Sequence, residues 1–493
     1  MNPIRQLFGL TAIYGLGTVV PRLLNYVLLT PFFTRIFELG EYGVVTELYA
    51  YVVFLLVILT YGMETGFFRY AEKYNDPDKV YSTSMISLFS TSGIFILTIW
   101  LFSQPIADLT GYPNNKNYII WIGIIVGIDA FTAIPFALLR KQNKALKFAT
   151  IKIINVVVNI SLNFLFLLFI PAVYEKTGNA FLSKIFNPEL GVGYVFVSNL
   201  IASLCTLLLL SGEIFRVTLK FSRRLWFEMI IYSFPLLISG LAGTINEALD
   251  RVLLKHLITA ETDPLEQVGI YGANYKIAVL MQLFIQMFRF AAEPFYFARA
   301  KDKNARILYA DIMKYFVIAC MLIFLVVTLY IDLFKHFIGS AFHEGLHIVP
   351  VVLYAIFLLG IFFNLSIWYK LNNLTKYGAI ITLIGSLVTF FVNWLFIPRF
   401  GYTASAWGHF FCYMIMVVIS WLLCRKYFYI PYDLKKIIFY SLLPVVIFVL
   451  TVLLDPNSDV MKWIINTFFI AVYIAIVIAF ERSNLLELFR SKP

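Results

Sequence analysis

The stretch GIYGANYK, Gly269 to Lys276, repeats a pattern from earlier in the chain and leads into a long apolar segment. Its Gly-x-Tyr-Gly start also occurs in GEYGVVTE, Gly40 to Glu47. After the later copy the chain continues as IAVLMQLFIQMF, so Lys276 carries a charge into apolar surroundings. A pattern used twice predicts an internal repeat. A charge at such a place predicts a polar partner or a hydrated cavity.

Composition identifies the solvent of this chain. The sequence has 493 residues, of which 61% are hydrophobic and only 14% are charged, whereas soluble domains are roughly 25% charged. Apolar runs long enough to cross a bilayer recur along the whole chain. The sequence therefore predicts an all-α polytopic membrane protein with 14 transmembrane helices. We place these spans at residues 9–34, 43–68, 80–103, 117–139, 150–171, 193–215, 227–258, 268–298, 307–331, 346–369, 377–398, 402–424, 437–454 and 460–480.

Basic residues predict the orientation of these spans. Of the 39 Lys and Arg residues, 26 lie in one set of alternate loops and 8 in the other set. Short cytoplasmic loops of membrane proteins are enriched in Lys and Arg. The bias predicts that both termini are cytoplasmic and that the number of spans is even. It also accounts for the net charge of +11 without a nucleic-acid partner.

The repeat extends far beyond the two Gly-x-Tyr-Gly stretches. The offset that aligns them also places Arg22 on Arg251 and Glu64 on Glu293. Two halves with six spans each would have the same orientation and be related by an axis along the membrane normal, with substrate between them near the midplane. The predicted domains are a six-helix lobe at 1–216, a second six-helix lobe at 217–426, and two further transmembrane helices with a cytoplasmic tail at 427–493.

Polar side chains recur inside the predicted spans, where ionisable groups are costly and face a cavity or a partner. Gln282, Gln286, Arg289 and Glu293 follow helical spacing and share one helix face. The further polar candidates in other spans are Asp129, Asn155, Asn159, Glu247 and Asp250. Four cations, Arg22, Arg251, Lys276 and Arg289, predict a cationic lining that suits an anionic cargo such as a phosphate or diphosphate.

A structural interpretation competes with this one. Arg289 and Glu293 are four residues apart, so these two groups could simply neutralise each other. Lys314 lies three residues after Asp311 and could extend its ammonium group to the cytoplasmic surface.

The segment HEGLH, His343 to His347, matches the H-E-x-x-H pattern of zinc metalloproteases. Zinc chemistry needs both histidines on one helical turn and a third ligand, and no third ligand follows in the sequence. We predict that this segment binds no metal. The chain also lacks a phosphate-binding G-x-x-x-x-G-K-[ST] loop, so no built-in ATPase is predicted. We expect a protein that is not an enzyme and that has no cofactor.

Several segments resemble a known family. They are LGEYGVVTELYAY and METGFFRYAEK in the first half, with VGIYGANYKIAVLMQLFIQMFRFAAEPFYFARAKD and FIPRFGYTASAW in the second. They are similar to bacterial polysaccharide transporters, including O-antigen and capsule flippases, of the multidrug/oligosaccharidyl-lipid/polysaccharide exporter superfamily. The resemblance implies a flippase of the bacterial inner membrane that serves polysaccharide or lipopolysaccharide biosynthesis. Its cargo would be an undecaprenyl-diphosphate-linked oligosaccharide, moved to the periplasmic leaflet by alternating access.

The resemblance also implies roles for particular residues. Arg22, Arg251, Lys276 and Arg289 would contact the diphosphate, and the last two spans would hold the polyprenyl tail. A coupling proton or sodium ion would bind among Asp129, Glu247, Asp250 and Glu293, beside the polar groups of Asn155, Asn159, Gln282 and Gln286. The partners implied are membrane lipids, the lipid-linked oligosaccharide and polysaccharide assembly proteins.

Two other classes of function remain open from the sequence. A multidrug cation antiporter of the same superfamily would need an acidic cavity and usually has twelve spans. A membrane-embedded glycan polymerase or metalloprotease would need a catalytic loop or a ligand set. The basic lining and the six-plus-six repeat favour the flippase over both.

Overall fold

The computed structural model describes residues 3–177, 186–216, 220–258, 263–454 and 458–490. These residues form helices joined by short turns, and no β-strand occurs among them. The all-α prediction is therefore confirmed. The chain folds into two compact units, Met1–Gly272 and Ala273–Pro493. The division of the sequence at 216 and 426, which follows the repeat, stays a prediction.

The described part of the first unit contains eleven complete helices and the start of a twelfth. They are α1 (Pro3–Ile36), α2 (Leu39–Thr60), α3 (Met63–Lys73), α4 (Pro77–Leu101), α5 (Ser103–Leu109), α6 (Lys116–Lys141), α7 (Ala145–Phe164), α8 (Ile170–Thr177), α9 (Gly193–Leu209), α10 (Ser211–Ile214), α11 (Arg223–Leu257) and α12 (Pro264–Ala298), which continues into the second unit. A π-helical turn at Leu165–Phe169 joins α7 to α8.

The described part of the second unit continues from α12. Its helices are α13 (Ala305–Leu329), α14 (Ile331–Phe334), α15 (Val349–Leu365), α16 (Ile367–Leu371), α17 (Thr375–Phe400), α18 (Tyr402–Tyr427), α19 (Leu434–Leu454) and α20 (Asp459–Arg490). Short 3-10 helices at Lys335–Phe337 and Ser340–Ile348 lead into α15.

Twelve helical segments in the described residues are long and apolar enough to cross a membrane. The chain is therefore a multi-pass membrane protein, and each of the twelve overlaps one of the predicted spans. The two other predicted spans are also helices: α1, and the shorter apolar helix α9. The count of 14 stays a prediction, because twelve segments of the described residues are long and apolar enough to cross a membrane.

Helix packing repeats between the two units. In the first unit α4 packs on α6, and α9 packs on both α6 and α7. In the second unit α13 packs on α15, and α18 packs on both α15 and α17. The same pairs of helices are thus in contact in each half of the chain, in the order that the sequence repeat predicts.

One detail of the backbone fixes the register of the repeat. Asn143 and Asn373 both adopt the left-handed conformation, with φ of 55° and 57°, which asparagine tolerates better than most residues. In each case the next residue donates its backbone N–H to a carbonyl five residues earlier, Lys144 to Leu139 at 2.9 Å and Leu374 to Tyr369 at 2.8 Å. The offset that aligns Glu64 with Glu293 would align Asn143 with Asn372. The structure therefore shifts the register of the repeat by one residue here.

The two Gly-x-Tyr-Gly stretches pack against each other at the starts of α2 and α12. A Cβ atom at Gly269 would overlap the backbone carbonyl of Leu39, and one at Gly43 would overlap that of Leu265. Glycine is needed at both places because backbone approaches backbone. The two copies of the pattern therefore form one close helix crossing, to which each copy contributes a glycine.

The last two helices are attached through a buried carboxylate. Glu481 on α20 is fully buried and lies 2.8 Å from the Lys314 Nζ on α13 and 2.7 Å from the Lys436 Nζ on α19. The Tyr440 hydroxyl donates a further hydrogen bond to it at 3.1 Å. Lys314 also lies 3.3 Å from Asp311. The Lys314 ammonium group therefore binds the buried Glu481 carboxylate and the nearby Asp311 carboxylate. It does not take the surface position that was considered from the sequence.

Candidate functional site

A cluster of charged side chains lies where α12 meets the end of α16 in the second unit. The Lys370 Nζ donates a hydrogen bond of 2.5 Å to the Glu293 carboxylate. The Arg289 guanidinium lies 3.7 Å from the same carboxylate. The sequence pairs Glu293 with Arg289 by helical spacing, but the closer partner is Lys370, which lies far away in sequence.

Arg289 is held mainly by an aromatic ring. Its guanidinium carbon lies 3.8 Å from the centroid of Phe363, a cation–π contact. Its Nε is buried and has no hydrogen-bond partner among the described residues. The side chains of Arg289 and Glu293 are each 39% exposed. Arg289 therefore has donors available for an additional anionic group.

The cluster lines a small pocket. The lining residues are Phe288, Arg289, Ala292, Glu293, Tyr296, Phe363, Asn364, Ser366, Ile367 and Lys370. Two of them are joined by a short hydrogen bond, from the Tyr296 hydroxyl to the Asn364 Oδ1 at 2.7 Å. The pocket thus combines an apolar wall with two cations and one carboxylate, and Glu293 already occupies part of the space where an anion would bind.

The first unit carries a related pair. Glu64 at the start of α3 forms an ion pair with Arg140 at the end of α6. The repeat places Glu64 on Glu293, and the one-residue shift seen at Asn143 and Asn373 places Arg140 on Lys370. Each unit therefore has a carboxylate near the start or end of one helix paired with a cation at the end of another, in matching positions.

Further charged groups surround the pair in the first unit. Glu64, Arg140, Asp129 and Arg22 are the charged neighbours of Lys152. Asp129 accepts a hydrogen bond of 2.9 Å from the Ser203 hydroxyl. The structure thus brings two sequence-predicted residues, Arg22 and Asp129, into one charged neighbourhood, with Arg22 on an exposed part of α1.

Arg251 is engaged within its own helix. Its Nη1 donates to the Glu247 carbonyl at 2.5 Å and lies 3.3 Å from the buried Asp250 carboxylate. Its guanidinium carbon lies 5.6 Å from the ring of Tyr271, in the second Gly-x-Tyr-Gly stretch. Glu247, Asp250 and Arg251, which were all predicted from the sequence, therefore form a local cluster on α11.

The remaining predicted residues have separate surroundings. The Asn155 amide donates to Thr206 at 3.0 Å, and Asn159 accepts from Asn163 through its carbonyl at 2.8 Å. Gln282 and Gln286 are half-buried, and Lys276 is exposed. Lys276 and Arg289 share α12 but lie roughly 20 Å apart along its axis. One diphosphate can therefore contact only one of these two cations at a time.

The structure adds residues that the sequence interpretation missed. Arg140 and Lys370 are counted among the loop cations in the sequence, although both pair with carboxylates inside the fold. The repeat could have revealed both cations. It aligns Glu64 with Glu293, and two aligned carboxylates are expected to have equivalent partners. A second such pair is Glu47 and Lys255, whose side chains lie 2.9 Å apart.

The HEGLH segment forms part of the 3-10 helix Ser340–Ile348. The His343 Nε2 contacts the Lys335 carbonyl at 2.9 Å, and the His347 Nε2 contacts the Thr403 hydroxyl at 3.1 Å. Among the described residues no group of three or more His, Cys, Asp or Glu side chains is arranged to hold a metal ion.

We expect the purified protein to contain no stoichiometric zinc, because each imidazole already contacts a protein oxygen and a third ligand is missing. Elemental analysis of the detergent-purified protein measures this. One zinc per chain that is lost in a His343→Ala variant would contradict the prediction, and a His336→Ala variant serves as the control for an unrelated histidine.

The sequence matches a known protein family. The sequence profile of the family described as polysaccharide biosynthesis protein matches residues 10–300. Among curated protein sequences, none shows significant similarity to the chain.

Solved structures share the fold. The inward closed conformation of the lipid II flippase MurJ superposes with a TM-score of 0.72 at 15% identity, covering 96% of this chain and 100% of that chain. An inward-facing multidrug resistance MATE family transporter of the MOP superfamily gives a TM-score of 0.61 at 14% identity, covering 85% of this chain and 93% of that chain. An outward-facing multidrug resistance MATE family transporter of the MOP superfamily gives a TM-score of 0.57 at 15% identity, covering 85% of this chain and 94% of that chain.

The resemblance drawn from the sequence motifs is thus confirmed at two levels. The fold is that of MurJ and the MATE transporters. The family match covers more than half of the chain and includes both Gly-x-Tyr-Gly stretches, Glu64, Arg140 and Arg289. This protein belongs to the polysaccharide biosynthesis protein family.

Proposed function

We propose that the protein is a flippase that moves an undecaprenyl-diphosphate-linked oligosaccharide across the bacterial inner membrane by alternating access. One observation carries this proposal: a member of a polysaccharide biosynthesis family has, over 96% of its length, the fold of a protein described as a lipid II flippase. O-antigen, capsule and lipopolysaccharide precursors are the glycans considered, and the assembly proteins of such pathways are the proposed partners.

Arg289 and Lys370 are the proposed binding groups for the diphosphate. The guanidinium has a buried Nε without a hydrogen-bond partner among the described residues, and the ammonium of Lys370 lies across Glu293 from it. Charge-assisted hydrogen bonds to phosphate are among the stronger polar contacts. In this proposal the diphosphate displaces the Glu293 carboxylate, which otherwise compensates both cations.

The position of the cluster suits cargo made in the cytoplasm. Lys370 lies in the last turn of α16, next to one of the basic loops that the charge bias predicts to be cytoplasmic. Glu64 and Arg140 lie next to basic loops of the same set. The proposed loading site is therefore at the cytoplasmic end of the helices, and Arg22, Arg251 and Lys276 are proposed as later contacts along the path.

The proposed tail site lies on the last two helices. Their outer faces carry many exposed apolar side chains, including Val446 on α19 and Phe468, Ile478 and Phe480 on α20. Such faces are compatible with membrane lipids and with a polyprenyl chain. Asp129, Glu247, Asp250 and Glu293 remain the proposed coupling groups named from the sequence.

Export of cationic drugs is the second candidate function, because MATE family transporters share the fold. A cationic substrate needs an uncompensated acidic site. In the described residues Glu293 is compensated by Lys370, Asp250 by Arg251 and Glu64 by Arg140. These pairs favour an anionic cargo.

A cellular experiment tests the proposal. Deletion of the gene from its own bacterium should remove surface glycan and cause lipid-linked precursor to accumulate on the cytoplasmic side, and the intact gene should reverse both effects. Unchanged glycan with increased sensitivity to cationic dyes would contradict the flippase proposal and support drug export.

We expect both termini to be cytoplasmic, because cytoplasmic loops hold the larger share of Lys and Arg. A reporter that is active only in the periplasm, fused to Pro493, should show background activity, while a fusion after Asn114 should be active. Strong activity of the Pro493 fusion would contradict both the orientation and the even number of spans.

A further inference from the structure

The first unit has a cationic cluster of its own, formed by Arg140 and Lys152. Arg140 lies in the last turn of α6, and its Nη2 donates a hydrogen bond to Glu64. The guanidinium carbon lies 5.0 Å from the centroid of Phe68, and the Nε is buried without a hydrogen-bond partner among the described residues. Arg289 in the second unit has the same three features: an aromatic contact, a shared carboxylate and an unused Nε donor.

Lys152 supplies the second cation, roughly 10 Å along α7 from the start of that helix. Its Nζ lies 4.1 Å from the ring centroid of Phe136, and it forms no hydrogen bond or ion pair with the residues that the structure describes. The neighbouring Asp129 carboxylate already accepts a hydrogen bond from Ser203. An ammonium group inside a membrane helix without a direct counter-ion favours the binding of an anion.

The two cations share one pair of aromatic rings and carry an excess of positive charge. Phe136 and Phe148 pack edge to face with their centroids 5.4 Å apart, and the Arg140 guanidinium carbon lies 6.0 Å from the second ring. The charged neighbours of Lys152 are Arg22, Arg140 and two carboxylates. Three cations are therefore grouped with only two carboxylates, which suits a negatively charged ligand.

The cluster is accessible from water. The side chains of Arg140 and Glu64 are 33% and 41% exposed. Both residues lie near basic loops that the charge bias predicts to be cytoplasmic. An anion from that side can therefore reach the guanidinium, and a displaced Glu64 carboxylate can be hydrated.

The two units build the same combination of charges from different positions. The repeat, with its one-residue shift, aligns Arg140 with Lys370, and each of these cations pairs with an aligned carboxylate. Arg289, however, aligns with the uncharged Thr60, and Lys152 supplies the additional cation of the first unit from another helix. A carboxylate, a paired cation and an additional cation thus occur in both units, which indicates the same class of ligand.

We propose that Arg140 and Lys152 form a second diphosphate-binding site, separate from the one at Arg289 and Lys370. A diphosphate has more than one negative charge and several acceptor oxygens, so it can replace Glu64 at Arg140 and bind the Lys152 ammonium as well. The Arg140 Nε then gains an acceptor. The use of this site by a lipid-linked cargo rests on the proposed function, whereas the binding of diphosphate does not.

Binding of inorganic diphosphate to the purified full-length protein tests the second site without cargo. Equilibrium dialysis with radiolabelled diphosphate at low salt counts the anions bound per chain. We expect two in the unmodified protein, one in Lys152→Met, one in Arg289→Ala and none when both substitutions are combined, because loss of a charge-assisted contact lowers affinity about ten- to a hundredfold. Lys144→Ala, which removes an exposed cation just before α7, is the matched control and should retain both.

A gain in affinity separates binding from a purely structural role. Glu64→Gln should tighten binding at the first-unit site by about tenfold, because the carboxylate no longer competes with the anion for Arg140. A purely structural ion pair predicts an unchanged affinity for diphosphate. Lys152→Met should not lower the melting temperature, because the ammonium group has no direct counter-ion among the described residues.

Three results would overturn the proposal: two diphosphates bound to Lys152→Met, none bound to a folded Arg289→Ala variant, or an affinity that Glu64→Gln leaves unchanged. Displacement by glucuronate, a carboxylate, as effective as displacement by unlabelled diphosphate would overturn the assignment to a phosphate ligand. A single diphosphate that requires Lys152 but not Arg289 would support this site and contradict the cargo site of the second unit, so the two proposals can fail separately.

Discussion

An Arg289→Ala variant is expected to remain in the membrane at normal abundance and to lose transport by about ten- to a hundredfold. A charge-assisted hydrogen bond contributes about 1.5–3 kcal/mol, and each 1.4 kcal/mol changes an equilibrium by about tenfold. The structure explains why abundance should persist. Glu293 keeps its closer partner Lys370 at 2.5 Å when Arg289 is removed, so no carboxylate is left without a counter-charge.

Two further variants at this site separate substrate contact from charge balance. Arg289→Lys should substitute poorly, because an ammonium group lacks the planar two-pronged geometry of guanidinium and its stacking on Phe363. The double variant Arg289→Gln with Glu293→Gln should be abundant and inactive, because Lys370, which loses its carboxylate partner, has a side chain that is 27% exposed and can be hydrated. Arg299→Ala, which removes an exposed cation near the end of the same helix, is the matched control and should transport normally.

The measurement is the rate at which lipid-linked glycan reaches the outer leaflet, normalised to the amount of protein in the membrane. Rescue of transport by the double variant would contradict a substrate contact for Arg289. It would show that the arginine serves only to compensate Glu293.

Alanine at Gly43 or Gly269 is expected to lower the melting temperature and the abundance of the protein. The added Cβ atom would overlap a backbone carbonyl, of Leu265 or of Leu39, and a backbone group cannot rotate away as a side chain can. Overpacking of this kind costs about 1–3 kcal/mol and sometimes more. Either variant should therefore weaken the contact between the starts of α2 and α12.

The helical glycines Gly93 and Gly243 provide matched controls, because no atom lies within 4 Å of a Cβ built at either position. Alanine should be neutral there or stabilising by about 0.5–1 kcal/mol, since it favours helix more than glycine does. Thermal unfolding of the detergent-purified variants measures the difference. Equal melting temperatures for all four variants would contradict the close crossing.

The sequence predicted the helices well because membrane spans are encoded locally. Each predicted span needs only a run of apolar residues of sufficient length, and every one of them overlaps a helix in the structure. The repeat was equally visible, because matched residues such as Glu64 and Glu293 occur at a constant offset. The one-residue shift at Asn143 and Asn373 was missed, since a single backbone conformation has no distinct signal in composition.

The candidate site was predicted only in part, for a physical reason. Helical spacing reveals partners within one turn, and so it suggested Arg289 for Glu293. The closer partner, Lys370, is 77 residues away, and Lys255 is 208 residues from Glu47. Such pairs depend on which helices pack together, and that information is absent from the spacing of residues along a single helix.

The central claim is best tested with purified protein in liposomes that contain a fluorescent undecaprenyl-diphosphate-linked oligosaccharide. A membrane-impermeant quencher or glycosidase added outside reports how much of the glycan has crossed. We predict that the protein accelerates crossing strongly over protein-free liposomes and over liposomes with the Arg289→Ala variant. Crossing at the protein-free rate, together with proton-driven uptake of a cationic dye by the same liposomes, would contradict the flippase account.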